Sequence, residues 1–426
     1  MATTVNVYVD PDAAGANNGT SWANAYTALQ TAETANDVNI TAATGNDTIV
    51  IFHCKSSGGS DDVTSIFVGW TTSAGNYIKI QGGYAAGETG TPGTPGYPGK
   101  YSTAYYHIEG TASTGITNGI AIQEDYVRVD KILTSVVLTG TGGANGFNVS
   151  GITATNNLII FTNCIAKGAS SGTGTGRGFY LNDTDIISIL SNCIAYGFYV
   201  PVDGGFAGFY FNCATATAIN CLAYGNFYGF QKIAGTINIY NSVSFENADD
   251  FGGPDVISHC SSDDNDTTDA TNIVGNEEGS TWSTDFLDAA NGDFTLLSGS
   301  PLVGAGTVDP GGSGYGTPSI NGVTRGAAWD VGPWEYIAVA SNTPSSTVSS
   351  TPSSTPSSTP SSTRSSTPSS TASSTPSSTV SSTPSSTPSS TVSSTPSSTV
   401  SSTPSSTVSS TPSSTVSSTP SSTPSS

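Results

Sequence analysis

Asn163-Cys164-Ile165-Ala166-Lys167-Gly168 returns as Asn192-Cys193-Ile194-Ala195-Tyr196-Gly197, and again as Asn220-Cys221-Leu222-Ala223-Tyr224-Gly225. A looser copy follows at Asn241-Ser242-Val243-Ser244-Phe245. A second phrase keeps step with the first: Gly146-Phe147, Gly178-Phe179-Tyr180, Gly208-Phe209-Tyr210 and Gly229-Phe230. The period wanders between 21 and 32 residues, and the variation lies between the phrases. The intervening runs, such as Ile186-Ile187-Ser188-Ile189 and Ile237-Asn238-Ile239-Tyr240, alternate with period two and are bounded by Gly and Asn, not by helices. Short strands in that arrangement predict the coils of a parallel β-helix. A coil cannot bury its inner face alone, so neighbours stack about 4.8 Å apart. A β-sandwich would need two phrases to recur together in fixed order by coincidence.

Stacking sets like residues above like. It predicts an asparagine column (Asn163, Asn192, Asn220, Asn241) whose side-chain amides bond from coil to coil, and a phenylalanine column beside it. Cys164, Cys193 and Cys221 share another position. Parallel Cβ vectors are poorly placed for bridging, and the spacing matches no Cys-x-x-Cys zinc pattern, so the thiols are expected to be reduced. Whether they face inward or outward is left open, because an Asn turn can reset the alternation.

Thr48-Ile49-Val50-Ile51, Tyr77 to Gly82 and Tyr126 to Asp130 each read as one earlier strand followed by a turn. Ahead of them, Ser21 to Gln30 reads as a capped helix with Trp22, Tyr26 and Leu29 on one face, a lid for the exposed end of the stack. The expected organisation is an N-terminal strand and capping helix over 1–46, coils over 47–260, a closing segment over 261–340 and a tail over 341–426.

In that tail every fourth residue is Pro or Val, save Arg364 and Ala372, separated by Ser-Ser-Thr. Such a segment buries too little apolar surface to offset the entropy of ordering. Proline at this density favours polyproline II, with a reach of roughly 270 Å at about 3.1 Å per residue. Three residues per turn against a four-residue repeat spread the hydroxyls all round the axis, as in a mucin-like stalk carrying O-linked sugar. Thr351, Ser353, Ser354, Thr355, Ser357, Ser358 and Thr359 are representative acceptors. The expected result is a native intact mass above the 42.9 kDa of the sequence, reduced to it by β-elimination. An unmodified native mass removes the glycan stalk.

All 31 acids precede the tail, as do all the Lys and Arg except Arg364, so a net −21 for the chain becomes −22 for its first 340 residues. That excess argues against nucleic acid or an anionic membrane as partner, and favours neutral over acidic glycans. No apolar run is long enough to span a bilayer, and the start at Met1-Ala2-Thr3-Thr4-Val5 shows no signal peptide.

The opening Val7-Tyr8-Val9-Asp10-Pro11, then Asn18 to Ala25 and Leu29 to Ala32, resembles the entry to pectate-lyase-like right-handed parallel β-helix proteins. Gly69-Trp70-Thr71-Thr72-Ser73-Ala74-Gly75-Asn76-Tyr77-Ile78-Lys79-Ile80 resembles a variant found in tailed-phage members, and both Gly292 to Gly306 and Asn321 to Tyr336 resemble the family's closing segment. The resemblance spans roughly residues 5 to 337. It implies an all-β, right-handed parallel β-helix with capped ends, and no particular activity, because the fold serves lyases, hydrolases, adhesins and fibres.

Lyases of this kind pair Ca²⁺-binding acids with a Lys or Arg base, and the hydrolases cluster Asp. If this chain is an enzyme, the best constellation is Lys167 and Arg177 with Asp183 and Asp185; Gly-His-Gly and Arg-Ile-Lys phrases are absent. No cofactor is expected otherwise. Asp263, Asn265 and Asp269 offer alternate oxygens for Ca²⁺, but Thr268 and Val274 stand where an EF-hand needs Gly and Glu, and a solvated acidic loop is the plainer reading. The leading expectation is a non-catalytic extracellular, cell-surface or virion fibre or adhesion protein, with glycans on its tail or as ligand and self-assembly as a further property. The alternative is a polysaccharide-degrading enzyme with a mucin-like linker.

Overall fold

A computed structural model describes residues 2–42, 46–59, 61–88, 97, 99–152, 157–199, 205–263, 284–312 and 314–338. The tail and its acceptor residues lie outside the described residues, as do Asn265 and Asp269.

The fold is a parallel β-helix built from three columns of strands. The first column runs Thr3–Val9, Thr48–Lys55, Ile78–Tyr84, Val127–Asp130 and Asn157–Thr162, and continues in the second halves of Thr175–Ser191, Phe206–Ile219 and Tyr228–Tyr240. The second column holds His107–Ala112, Leu133–Leu138, Ile165–Ser170, Ile194–Tyr196, Leu222–Tyr224 and Val243–Phe245. The third contains Ser65–Phe67, Ile116–Ile122, Gly143–Val149 and the first halves of the three long strands. Every pairing within these columns is parallel.

The repeated phrase is the corner between the first and second columns. Asn163, Asn192, Asn220 and Asn241 have φ of 55°, 53°, 52° and 47°, the left-handed region that Asn enters more readily than most residues. Their backbone N–H groups bond one coil onward, to the carbonyls of Ser191, Ile219, Tyr240 and Ser258. Lys131 and His259 hold the same place in the register, with φ of 56° and 54°. The side-chain column is only partly continuous. Asn192 Nδ2 donates to Asn163 Oδ1 at 3.1 Å, and Asn163 Nδ2 to Asp130 Oδ1 at 3.0 Å. Asn220 and Asn241 donate instead to the carbonyls of Gly316 and Thr307 in the closing segment.

One residue past each corner the thiols point inward. Cys164, Cys193, Cys221 and Cys260 are fully buried and free. Each Sγ–H lies within reach of two carbonyls, two residues back and one coil before: Cys193 to Ser191 at 3.5 Å and Phe161 at 3.6 Å, Cys221 to Ile219 at 3.4 Å and Leu190 at 3.6 Å. A small side chain with a weak donor suits that place, and Ser242 fills it in one coil by donating to Tyr240 O at 2.8 Å. Burial pushes the Cys193 thiol well above its ordinary pKa, so it stays protonated.

The phenylalanine column forms as well. Phe147, Phe179, Phe209, Phe230 and Phe251 stack with centroids 4.8, 4.9, 4.6 and 5.3 Å apart and nearly parallel rings.

At the N-terminal end the expected helix over 21–30 is replaced by a 3-10 turn, Trp22–Asn24, and an α-helix, Leu29–Asn36. Ser21 makes no side-chain cap. The first helical N–H, that of Leu29, is satisfied by Asp62 Oδ2 at 2.5 Å, so the cap comes from a distant loop and fixes the helix start eight residues later. Leu29 and Ala32 then join the interior cluster with Val7 and Val9.

The closing segment does its covering along the flank. Leu133, Ile165, Ile194, Leu222 and Val243, one per coil on the outer side of the second column, form a cluster with Phe286, Phe294, Leu296, Leu302, Ile320, Val331 and Trp334. Phe286–Asp288 and Asp293–Leu296 make an antiparallel hairpin over this stripe. Arg325, with its side chain fully buried, pins the rest: its guanidinium donates to Glu335 Oε2, to Asn192 Oδ1 and to the carbonyls of Gly316, Asp330, Gly332, Pro333 and Trp334. Within the Asn321 to Tyr336 stretch noted in the sequence, residues 325–336 are therefore one hydrogen-bonded knot on the asparagine corner. Among the described residues no helix is long and apolar enough to cross a membrane.

Candidate functional site

Gly168 lies inside the strand Ile165–Ser170, but in the next three coils the second column ends at the matching register position and the chain turns through Gly197, Gly225 and Glu246. Gly197 has φ of 82°, and a Cβ there would collide with the Gly168 carbonyl. These turns floor a groove of about 730 Å³, within the range of small-ligand sites. Its principal side chains are Tyr196, Tyr199, Tyr224, Glu246, Asn247 and Asp263.

The walls are held from behind. Tyr196 and Tyr224 both pack edge-on against Phe294 of the closing hairpin, with centroids 5.5 Å away, and Tyr224 also lies on Phe245 at 4.8 Å. Tyr199 stacks on Phe227 at 6.4 Å and remains 46% exposed. Asn247 is committed to the scaffold: its Nδ2 donates to Asp250 Oδ1 at 2.7 Å, and its Oδ1 accepts the Asn226 N–H at 2.8 Å. Asp263 Oδ2 accepts the Glu246 N–H at 2.9 Å. The Glu246 side chain itself is exposed at the groove. Burial, with the negative charges of Glu246 and Asp288 added to it, raises the Tyr224 phenol above its ordinary pKa. The groove thus offers aromatic faces, hydroxyls and carboxylate oxygens, and among the described residues its lining includes no Lys or Arg.

The residues nominated from sequence fall elsewhere. Lys167 lies on the second column, its ammonium 4.9 Å from the centre of the Tyr101 ring. Arg177 lies on the third, its guanidinium 4.3 and 4.6 Å from the ring centres of Tyr180 and Tyr210. Asp183 accepts the Ile152 N–H at 2.8 Å and the Asp185 N–H at 3.1 Å, as a turn former does. The two bases are thus occupied on different columns, and no ion pair among the described residues joins any of these four side chains. Of the Ca²⁺ candidates only Asp263 is described. Among the described residues no group of three or more His, Cys, Asp or Glu is placed to hold a metal.

The groove residues carry a trace in the sequence. Tyr196 and Tyr224 recur in the repeated phrase directly before glycine, and Glu246 takes the glycine's place one coil later. Tyr199, in an irregular connection, leaves no such trace.

No family model matches the chain, and no curated protein matches it. Among solved structures it is similar to one titled "Crystal structure of pectate lyase Pel9A", at 16% identity and a TM-score of 0.38, covering 79% of this chain and 97% of that chain.

Proposed function

We propose that the chain is a non-catalytic structural and adhesive protein of a cell surface or virion. Its β-helix body binds glycan in the tyrosine-walled groove, and residues 341–426 form an O-glycosylated stalk. The observation that carries this reading is the groove: the exposed Tyr199 and half-buried Tyr224 beside the Glu246 carboxylate, with the largely buried Tyr196 in the lining, suit the alternating apolar faces and hydroxyls of a sugar. The occupation of Lys167 and Arg177 by aromatic rings supports the absence of lyase chemistry, which needs a base open to substrate. The experiment is a glycan array probed with the full chain, followed by assay of bound glycans for new reducing ends or unsaturated product. Binding that Tyr199→Ala weakens, with no product, is expected. Product release overturns the non-catalytic reading, and an array blank for both proteins overturns the adhesive one.

A further inference from the structure

The charge around the groove narrows its ligand. A neutral sugar is served by tyrosine faces and amides alone, yet here Glu246 presents a carboxylate that is exposed and makes no side-chain hydrogen bond or ion pair among the described residues. Asp263 stands beside it, bonded to its backbone. Lys167, the base next to the groove floor, is turned away over Tyr101. The body that frames the site carries −22 before the tail. Aromatic walls with an adjacent carboxylate attract a cation twice, through ring quadrupoles and through direct charge, and a protein-wide negative field concentrates cations near its clefts.

Resting on the glycan-binding reading, we propose that the groove selects an amino sugar, seating its ammonium group between Glu246 and the rings of Tyr199 and Tyr224. The sugar ring covers tyrosine, and the ammonium displaces the counterion that would otherwise neutralise Glu246. Anionic sugars are repelled by the same field.

The test compares a β-1,4-linked glucosamine hexamer with its fully N-acetylated counterpart by calorimetry on the full chain. The backbone is the same, and each ammonium is replaced by a neutral acetamide. Tetramethylammonium serves as a cation without a sugar. At low salt the glucosamine hexamer is expected to bind about tenfold more tightly than the acetylated one, with the advantage shrinking as salt is raised. Glu246→Gln is expected to abolish that advantage, so that the variant binds the two hexamers equally; because Glu246 is exposed, the variant keeps the fold, checked by circular dichroism. Equal affinities for the two hexamers overturn the ammonium inference and leave glycan binding standing. Binding of neither hexamer overturns both. Tetramethylammonium matching the glucosamine hexamer overturns the sugar as the scaffold.

Discussion

Arg325→Ala is expected to destabilise the body by about 3–5 kcal/mol, the usual cost of removing one partner from a buried, hydrogen-bonded charge pair. The guanidinium donates to Gly316 O at 2.9 Å, Glu335 Oε2 at 3.0 Å, Gly332 O at 2.9 Å and Pro333 O at 3.0 Å, among others. Burial, partly offset by Glu335 and Asp330, lowers its pKa to about 10, so it is still charged at neutral pH. Alanine leaves those carbonyls unpaired and Glu335 without its countercharge. Arg325→Lys restores the charge but not the planar fork, and is expected to recover only part of the loss. Urea denaturation gives the magnitude, and limited proteolysis should show earlier cleavage within 284–338. A loss below about 0.5 kcal/mol, the range of ordinary surface substitutions, sinks this account.

The second large effect is at the centre of the phenylalanine stack. Phe209 lies between Phe179 and Phe230 at 4.9 and 4.6 Å, with interplanar angles of 4° and 2°, and is fully buried. Phe209→Ala is expected to cost about 3–5 kcal/mol, combining lost transfer energy with an unfilled cavity. Phe209→Leu keeps most of the apolar volume and loses the ring contacts, for about 1–2 kcal/mol. Phe251, with one stacked neighbour at 5.3 Å, should tolerate alanine better than Phe209. Denaturation midpoints for the three variants check the order. Equal losses at Phe209 and Phe251 contradict the stacking argument.

The coils were readable because two local rules agree there: alternating strands, and an Asn able to adopt positive φ at the corner. The Phe column followed from register alone. The helix start was not readable, since the acceptor for the Leu29 N–H is Asp62, 33 residues away. A local reading could not anticipate that Ser21 would go unused. The cluster of Lys167, Arg177, Asp183 and Asp185 looked compact because these residues are close in sequence. The turn after Ser170 puts Lys167 on one column beside Tyr101 and Arg177 on the next beside Tyr180 and Tyr210. The groove escaped notice for a related reason. Its tyrosines read as buried rungs; Tyr196 is one, whereas Tyr224 stays half-buried against Phe294 of the hairpin and Tyr199 is exposed. The thiol orientation, open in the sequence, is decided by the carbonyls the Sγ atoms meet at each corner.

The outer stripe of one apolar residue per coil, from Leu133 to Val243, has an evolutionary corollary. Duplication of a coil is the simple way for a solenoid to lengthen, because the interior columns accept another rung without redesign. Here each inserted rung would also add an uncovered Leu or Ile to the flank, while the chain that shields it has a fixed span between the hairpin and Arg325. The segment therefore works as a gauge: the number of rungs and the length of the shield can change only together.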